Sequence, residues 1–463
     1  MSTLFGSLSV GRQSLAAQQM GLAITQNNIA NVNTPGYARQ RANFAPGDGS
    51  VDTEVGAGVR LVSIESYRSR LLDIRVNGEI QRQGEYAASA EVLQQVEAFF
   101  DETTGTGLQS DISTFFNNFS SLANMPQDAG LRQQVLAGGE KLGTSFRDTY
   151  EKLQLLRTHL DRGITEAVAE INSITAAIAR LNREVVAMRG TMGNANSFID
   201  ERQILVDRLA SFVDINYFES ESGSIHISTR QGALLVTGTE AHSWQVADGA
   251  DGALRILAAG RDITDDLRSG RLGGLIHVRD TQITSYLAAL DDMAAAIISR
   301  VNAQHALGAD AQGVAGGNFF VPFIGAIPGS NHGAARALEV AITDINKIAA
   351  ADPAAGSGSN QNAKAIAGIQ NELLLSGNNA TLSEFYAHLV FRIGLDTKTG
   401  VDGMETQSHL LSRLQDQRDS QCGVSLDEEA INLMSYQKAF EASSRFIALV
   451  DSLMDDVLRI LGG

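Results

Sequence analysis

Few residues of this chain have the type and spacing that chemistry requires. None of the eight histidines belongs to an H-E-x-x-H pair, which would hold a catalytic zinc ion. No G-x-S-x-G elbow presents a serine nucleophile, and no G-x-x-x-x-G-K-[ST] loop binds phosphate. Cys422 is the only cysteine, and it lies at a helix boundary without a histidine nearby in sequence, so a bystander thiol is favoured over a nucleophile. The sequence therefore predicts no catalytic residue and no enzyme activity.

Cofactors and metals have equally little support. Asp248, Asp251 and Asp310 lie near glycines, as acidic residues do in calcium loops, but they lack the ordered acidic ladder and the final glutamate. We interpret them as turn residues. A single cysteine excludes an internal disulfide and a paired-cysteine zinc motif. The sequence thus predicts no cofactor-binding site and no metal site.

The overall charge limits the class of partner. The 463 residues carry 36 basic and 53 acidic side chains, a net charge of −17 without a basic block. That balance argues against nucleic acid and against an anionic membrane surface as the main partner. The first ten residues do not resemble a cleavable signal, and no run reaches the ~20 apolar residues of a membrane span. General rules predict a soluble cytoplasmic protein, provided that export requires a cleaved signal.

With no site to position, the repeating pattern of the termini becomes the main signal. The stretch from Ser425 to Leu461 begins with a capping box formed by Ser425 and Glu428. Apolar residues then recur in an a/d heptad seam. Its members are Leu433, Tyr436, Phe440, Ile447, Val450, Met454, Val457 and Leu461. Phe446, Leu453 and Ile460 flank this seam and make the stripe too broad for one helix to bury, so the helix needs a partner.

A complementary stripe lies at the other end of the chain. Leu8, Leu15, Leu22 and Ile29 recur every seven residues, and small alanines follow three of them. We therefore predict that the first and last helices pair, with the interior of the chain looped out between them. Periodicity alone leaves two interpretations open at about equal weight: a helical hairpin that closes a monomeric bundle, and a seam between molecules.

The middle of the chain predicts long helices and one small β domain. Apolar residues between Leu160 and Met188 follow four-then-three spacing, which is typical of a coiled coil. From Val213 the period changes to two, as in short strands. Ala349–Asn362 resembles a flexible surface segment, and separate helices are predicted at Thr381–Leu395 and Gly403–Gln421.

The fold class predicted is mainly α, with long coiled-coil-like helices, paired N- and C-terminal helices and an inserted small β domain. The predicted units are a terminal helical domain, a helical rod domain and an outer β domain. They comprise, in that order, residues 1–40 with 423–463, residues 41–211 with 270–304 and 345–422, and residues 212–269 with 305–344.

A helix stop follows the first helix and carries a resemblance. Asparagines compete for backbone hydrogen bonds, Pro35 disfavours helix before it and Gly36 supplies a turn. The string resembles the rod-type N-terminal signature of the flagellar rod, hook and hook-associated proteins. Its matching residues are Asn27, Asn28, Ile29, Ala30, Asn31, Asn33, Pro35, Gly36 and Tyr37. Tyr436–Ala442 similarly resembles the C-terminal signature of this superfamily.

Within that superfamily, Phe198–Leu209 and Gly423–Glu429 resemble the hook-associated protein 1 (FlgK) family. Gln203 departs from the usual aspartate and Cys422 from a common serine. The resemblance implies a structural hook-filament junction protein whose terminal helices form the inner tube. It also implies self-assembly into a ring, with hook protein below this ring and hook-associated protein 3 above it. The further partners implied are an export chaperone and the export apparatus, which would secrete the chain without a cleaved signal to the hook-filament junction.

Three alternatives to the junction protein remain. One is another axial protein of the flagellum, with the hook protein the nearest competitor. The second is a secreted scaffold that displays an adhesin or enzyme on its β domain. The third is a closed monomeric coiled-coil scaffold, which would have stable ends and would not assemble. The junction protein itself is expected to have ends that are disordered in the monomer and fold on assembly, because the terminal helices bury little without neighbours.

Overall fold

The fold is mainly α with small antiparallel sheets, which confirms the predicted class. The computed structural model describes residues 2–47, 58–102, 105, 107–190, 195–249, 253–325 and 329–461. Asp251 and the side chain of Leu461 lie outside this description. The helices are α1 (Ser2–Ala30), α2 (Arg70–Phe99), α3 (Leu108–Asn124), α4 (Ala129–Gly190), α5 (Asn196–Phe212), α6 (Gly270–His277), α7 (Thr284–Ala306), α8 (Ala334–Ala337), α9 (Gln361–Gly368), α10 (Leu382–Cys422) and α11 (Leu426–Leu461).

The strands form antiparallel sheets between the helices. A hairpin follows α1, and its strands are β1 (Gln40–Pro46) and β2 (Val59–Ser66). A four-stranded sheet has the order β3 (Asn216–Glu219), β4 (Ile225–Ser228), β5 (Leu234–Thr237) and β6 (Glu240–Ala241). A three-stranded sheet has the order β7 (Trp244–Asp248), β8 (Leu254–Ala258) and β9 (Arg261–Asp262). The last two sheets make a compact β region where the period-two pattern predicted strands.

The longest helix, α4, spans 62 residues and carries the predicted seam. Ile164, Ile171, Ile178 and Val185 are all fully buried. The helix packs against α3, α5, α6, α7, α8 and strands of the β region. The regular apolar seam of α4 is therefore covered by several shorter elements of the same chain, and not by one long partner helix.

Two asparagines attach the β region to α4. Asn172 donates to the Trp244 carbonyl oxygen at 2.9 Å and accepts from the Trp244 amide at 2.8 Å. Ten residues along the helix, Asn182 bonds the Ile225 backbone in the same two-sided way, at 2.9 and 3.2 Å. Each asparagine side chain therefore bonds both the amide and the carbonyl group of the first residue of a strand, β7 or β4. The two asparagines thereby fix the position of these strands on the helix.

Helices α2 and α10 pack side by side, and α10 corrects one prediction. The sequence predicts two helices, Thr381–Leu395 and Gly403–Gln421, but α10 is continuous over 41 residues. Its glycines are contact points rather than breaks. A Cβ atom at Gly400 would lie 3.2 Å from the Ala90 Cα atom, and one at Gly403 would lie 2.5 Å from the Tyr86 ring. Tight packing against α2 thus outweighs the low helix propensity of glycine.

The residues between α7 and α9 depart from the predicted β domain. In the described part of 305–344 the β pairing consists of isolated bridges, including Phe320 with Val340. Phe319 and Phe320 instead join Phe115 and Phe119 of α3 in a cluster of aromatic rings. This segment lies against the helices, and the domain limits themselves remain a prediction.

A buried histidine corrects the prediction for the start of Ala349–Asn362, whereas Pro353 to Gly356 within this segment lie exposed at the surface as predicted. Residues Ala349 to Ala351 are fully buried, not a flexible surface segment. His305 is also fully buried. Its Nδ1 lies 2.7 Å from the Gly317 carbonyl oxygen, and its Nε2 accepts from the Ala349 amide at 2.9 Å. Because the amide must donate, the ring is neutral with its proton on Nδ1, and it joins two loops that lack regular structure.

This geometry predicts a loss of stability in mild acid. Burial lowers the pKa of His305 below its ordinary 6.5, so the unfolded chain binds a proton first as pH falls through that value. The free energy of unfolding should then fall by up to ~1.4 kcal/mol per pH unit. Thermal unfolding of wild type and His305→Gln at about pH 7.5 and 5.5 measures this contribution.

Buried aspartates with raised pKa values stabilise the fold as pH falls, but they do so equally in wild type and His305→Gln. The difference between the two proteins in their loss of Tm on acidification therefore reports His305 alone. His305→Gln should have a lower Tm at the higher pH and should lose less on acidification. The exposed His159→Gln should behave as wild type. An equal acid-induced loss in all three proteins would refute the role of His305.

Candidate assembly site at the paired terminal helices

The first and last helices pair antiparallel, and four contacts define their register. Asn28 meets Glu429, Gly21 meets Tyr436, Ser14 meets Ser443 and Gly11 meets Ile447. The first three pairs step by seven residues in opposite directions along the two helices. This constant step places one continuous stripe of α1 against α11.

The predicted seam of α11 lies on the side toward α1. Val450 is buried, and the other described members are half-buried. Those members are Leu433, Tyr436, Phe440, Ile447, Met454 and Val457. On α1, the predicted row of Leu8, Leu15, Leu22 and Ile29 is half-buried throughout. Ser14, Gly21 and Asn28, each one residue earlier, contact α11 directly, whereas the alanines one residue later, Ala16, Ala23 and Ala30, are exposed. The roles of these side chains in assembly remain a prediction.

A second apolar stripe of α11 faces away from α1. It comprises Ile431, Met434, Leu449, Leu453 and Ile460, which are 47–79% exposed. Their spacing keeps them on one side of the helix. Among the described apolar side chains of α1 and α11, by contrast, only Ala17, Ile24 and Val450 are buried. The helix pair thus leaves uncovered more large apolar groups than it buries, which marks a surface for further protein contacts.

The signature residues are organised around Asn28, which is 1% exposed. Its amide nitrogen donates to the Gln40 carbonyl oxygen at 2.9 Å and to Glu429 at 3.1 Å. Its amide oxygen accepts from the Gln40 amide at 3.0 Å and from the Tyr37 hydroxyl at 2.8 Å. One side chain therefore holds α1, the returning chain and α11 together.

Tyr37 keeps the proton that this network requires. Burial, with the nearby Asp200 and Glu429 carboxylates, raises the pKa of Tyr37 to about 12. The hydroxyl therefore stays protonated at neutral pH and donates to Asn28. Gly36 precedes it with a φ of 77°, and a Cβ atom at Gly36 would lie 2.6 Å from Ile204 of α5, so glycine is required here on both counts.

The remaining signature residues shape the turn at the end of α1. Asn31 donates to both the backbone and the side-chain oxygen of Asn27 at 2.9 Å, and Thr34 donates to Asn31 at 3.1 Å. Ala30, Asn33 and Pro35 are exposed, and Ile29 is half-buried. The segment thus stops the helix as predicted and reverses the chain toward β1.

Charged residues that the sequence did not single out fasten this segment. The guanidinium group of Arg39 binds both Glu428 and the buried Glu429 at the start of α11. That of Arg68 binds Asp200 of α5 at 2.7 Å and the Gly36 carbonyl oxygen at 3.1 Å. Both ends of the chain are thereby joined to the helical body. In the sequence, Glu429 is explained by the positive end of the helix dipole alone, so its ion pair with Arg39 was not predicted. The position of Arg39 next to the signature was the only sequence feature that pointed to this ion pair.

Beside this junction lies a cleft between α2, α5 and α10. Arg418 approaches Asp207 at 3.2 Å and Asp73 at 4.0 Å. Burial raises the pKa of both carboxyls despite the nearby arginines. Gln203 and Cys422, the two departures from the family pattern, line the same cleft. Burial raises the pKa of the Cys422 thiol, which disfavours a reactive thiolate.

The described residues contain no cluster of His, Cys, Asp or Glu side chains suited to a metal ion. Over the same parts of the chain, no helix combines the length and hydropathy needed to span a bilayer. The geometry of the described residues supports contacts between helices.

One packing feature gives a matched test of the helix pair. A Cβ atom at Gly21 would lie 2.6 Å from the Tyr436 ring, whereas one at Gly6 would meet nothing within 4 Å. We expect Gly21→Leu to force α1 and α11 apart and Gly6→Leu to be tolerated, since leucine favours helix in both. The resemblance implies assembly into flagella, so flagella that carry each variant are heated and the temperature at which filaments detach is measured. Equal detachment temperatures would show that the close contact is unimportant.

Three family models match separate parts of the chain. Residues 93–320 match the flagellar hook-associated protein FlgK helical domain. The termini match models from flagellar rod proteins: residues 8–37 match the flagella basal body rod protein, and residues 416–460 match the flagellar basal body rod FlgEFG protein C-terminal region. The two paired helices thus carry the features shared by axial proteins, and the middle carries those of one member.

Full-length relatives and a solved structure agree with this division. Flagellar hook-associated protein 1 of Bacillus subtilis is 27% identical over 100% of this chain and 99% of its own length. Flagellar hook-associated protein 1 of Salmonella typhimurium is 24% identical over 99% of this chain and 100% of its own length. The flagellar hook junction protein FlgK from Burkholderia pseudomallei has a similar fold, with a TM-score of 0.67 at 16% identity, covering 76% of this chain and 100% of that one.

The paired terminal helices, their signatures and the helical body define a structural protein of the flagellar axis. Within that class, the match of the middle region and the full-length relatives show that the chain belongs to the hook-associated protein 1 (FlgK) family.

Proposed function

We propose that this chain assembles on the tip of the flagellar hook and forms the junction on which the filament is built. The observation that carries this proposal is the uncovered apolar stripe on a pair of terminal helices, in a chain that aligns end to end with hook-associated protein 1. The rod-protein models match only the ends, so a rod or hook protein explains less of the chain. The role is structural and needs no catalysis.

In this proposal the predicted terminal units, 1–40 and 423–463, form an inner tube, and copies of the chain repeat around a ring. Hook protein lies below the ring and hook-associated protein 3 lies above it. The chain reaches that position by export without a cleaved signal, with the help of an export chaperone. An epitope inserted in the β region, viewed by immunogold electron microscopy, should label a single band between hook and filament. Label along the whole hook, or on the rod, would contradict the junction position.

The proposal includes folding of the ends on assembly. Each buried Leu, Ile or Phe contributes on the order of 1.5–3 kcal/mol, while ordering the backbone costs ~1–2 kcal/mol per residue. With three apolar side chains buried among the described residues of α1 and α11, the pair should be marginal in a free chain. Limited proteolysis of the purified monomer should remove the regions around Leu8–Val32 and Leu433–Val457 first, whereas assembled flagella should protect them. Resistance of both regions in the monomer would contradict this expectation.

A further inference from the structure

One side of α2 near its start forms an exposed basic and apolar surface, which we call the basic face. Arg70, Ile74, Gly78 and Arg82 recur every four residues, and Leu71, Arg75 and Glu79 form the adjacent row. Glu79 pairs with Arg82 at 3.2 Å, so Arg70 and Arg75 supply the positive charge of this surface. Leu71 is 69% exposed and Ile74 is 47% exposed. Gly78 lies in the centre, where a Cβ atom would meet nothing within 4 Å. A second protein can therefore approach the helix backbone closely at this point.

The other end of the same helix borders an acidic and apolar cavity, which we call the acidic groove. Its volume is about 1100 Å³ and it lies between the end of α2 and the start of α10. Glu97 and Asp101 stand exposed on its rim. Glu102 lies inside, bound to the Tyr386 hydroxyl at 2.6 Å. Phe391 lines the opening and is 69% exposed.

The two surfaces are complementary in charge, and each has an apolar centre that the described residues leave uncovered. They cannot meet within one molecule. Residues 74 and 98 are 24 positions apart on one continuous helix, which separates them by about 36 Å at 1.5 Å per residue. A contact that joins different surfaces of identical subunits repeats without two-fold closure, as an assembly around an axis requires.

We propose that the acidic groove of one copy receives the basic face of α2 from a neighbouring copy, and that this contact holds the outer walls of adjacent subunits together. The inference rests on the proposed function, because it requires copies to be neighbours in one assembly. Opposite charges select the partner surface and its orientation, and the apolar centres supply the buried contact.

Disulfide cross-linking in assembled flagella tests the contact. In a Cys422→Ser background that removes the only native thiol, a chain carrying both Ile74→Cys and Ala98→Cys is expressed as the sole copy, and isolated flagella are oxidised. Ala98 lines the groove and is exposed. Since a disulfide needs Cα atoms within about 7 Å, any product must join two copies. We expect a ladder of dimers and larger species several-fold stronger than from either single-cysteine chain.

The controls separate the possible outcomes. Ile74→Cys with Leu155→Cys, an exposed position on α4, should give no ladder. Assembled flagella without a ladder from the 74/98 pair would overturn the inference and leave the junction function standing. Dimers from Ile74→Cys alone would also overturn it, because they indicate a two-fold contact. Wild-type flagella that contain no copy of the chain would overturn the proposed function, and the inference with it.

A charge exchange covers the case in which cysteine variants fail to assemble. Arg75→Glu and Glu97→Arg should each lower the fraction of filament-bearing cells several-fold. Because the double variant restores opposite charges across the contact, it should recover much of that loss. A double variant that is no better than the poorer single variant would count against the contact.

Discussion

Replacing Asn28 by leucine is expected to abolish filament formation. The substitution removes four hydrogen bonds that tie Gln40, Tyr37 and Glu429 to the end of α1. Unsatisfied buried polar groups cost about 1–3 kcal/mol each, so the terminal pair should lose roughly 3–5 kcal/mol. Leucine has a similar size and favours helix, so the loss reflects the hydrogen bonds rather than helix propensity.

The matched control for this change lies in the same segment. Asn33 is exposed, and Asn33→Leu should leave filaments near the wild-type number. Secreted amounts of both variants are measured in parallel, so that an export defect is distinguished from an assembly defect. Normal filaments on Asn28→Leu cells would show that the four hydrogen bonds of Asn28 are dispensable. The signature would then need an explanation other than these hydrogen bonds.

The second large effect is expected on the outward stripe of α11. Leu449→Asp combined with Leu453→Asp places two charges on side chains that are 59% and 47% exposed. In the free chain both charges remain hydrated, so the helix pair and the folded body should be little changed. In an assembly the same charges would be buried against neighbouring subunits, which is strongly unfavourable. Filaments should therefore be lost while the monomer keeps its Tm.

Gln437→Asp with Ala448→Asp makes the same change in net charge on exposed positions outside the stripe. This control should still support filaments. Filament loss with both pairs would indicate that added charge alone is harmful, and filament formation with both would show that the stripe stays in contact with solvent in the flagellum. Either outcome would contradict the role given to this surface.

The sequence predicted the helices, the β region and the helix stop because these depend on local patterns. Apolar period and turn residues are visible in a single chain, as for the seam of α4 and the turn at Gly36. The pairing of the first and last helices was also predictable, since each carried a stripe that needed a partner. The FlgK resemblance depended on the same local strings.

Long-range contacts were less predictable because spacing does not encode them. Gly400 and Gly403 suggested a break in α10, yet they mark the contact with α2. Ala349–Asn362 resembled a flexible surface segment, yet its first three residues are buried and His305 binds the Ala349 amide. The hydrogen bond from Asn28 to Glu429 and the ion pairs of Arg39 and Arg68 connect residues that are 132 to 401 positions apart. Such partners become apparent only when the folded chain brings them together.

Deletion of the gene tests the central claim most directly. Cells are imaged by electron microscopy, and flagellin in the medium is assayed beside a complemented strain. Hooks without filaments, with flagellin released into the medium, are the expected result, because the filament would have no junction on which to assemble. Normal filaments on cells that lack the protein would contradict the account, and loss of the hooks themselves would place the chain lower in the axis, at the rod or hook.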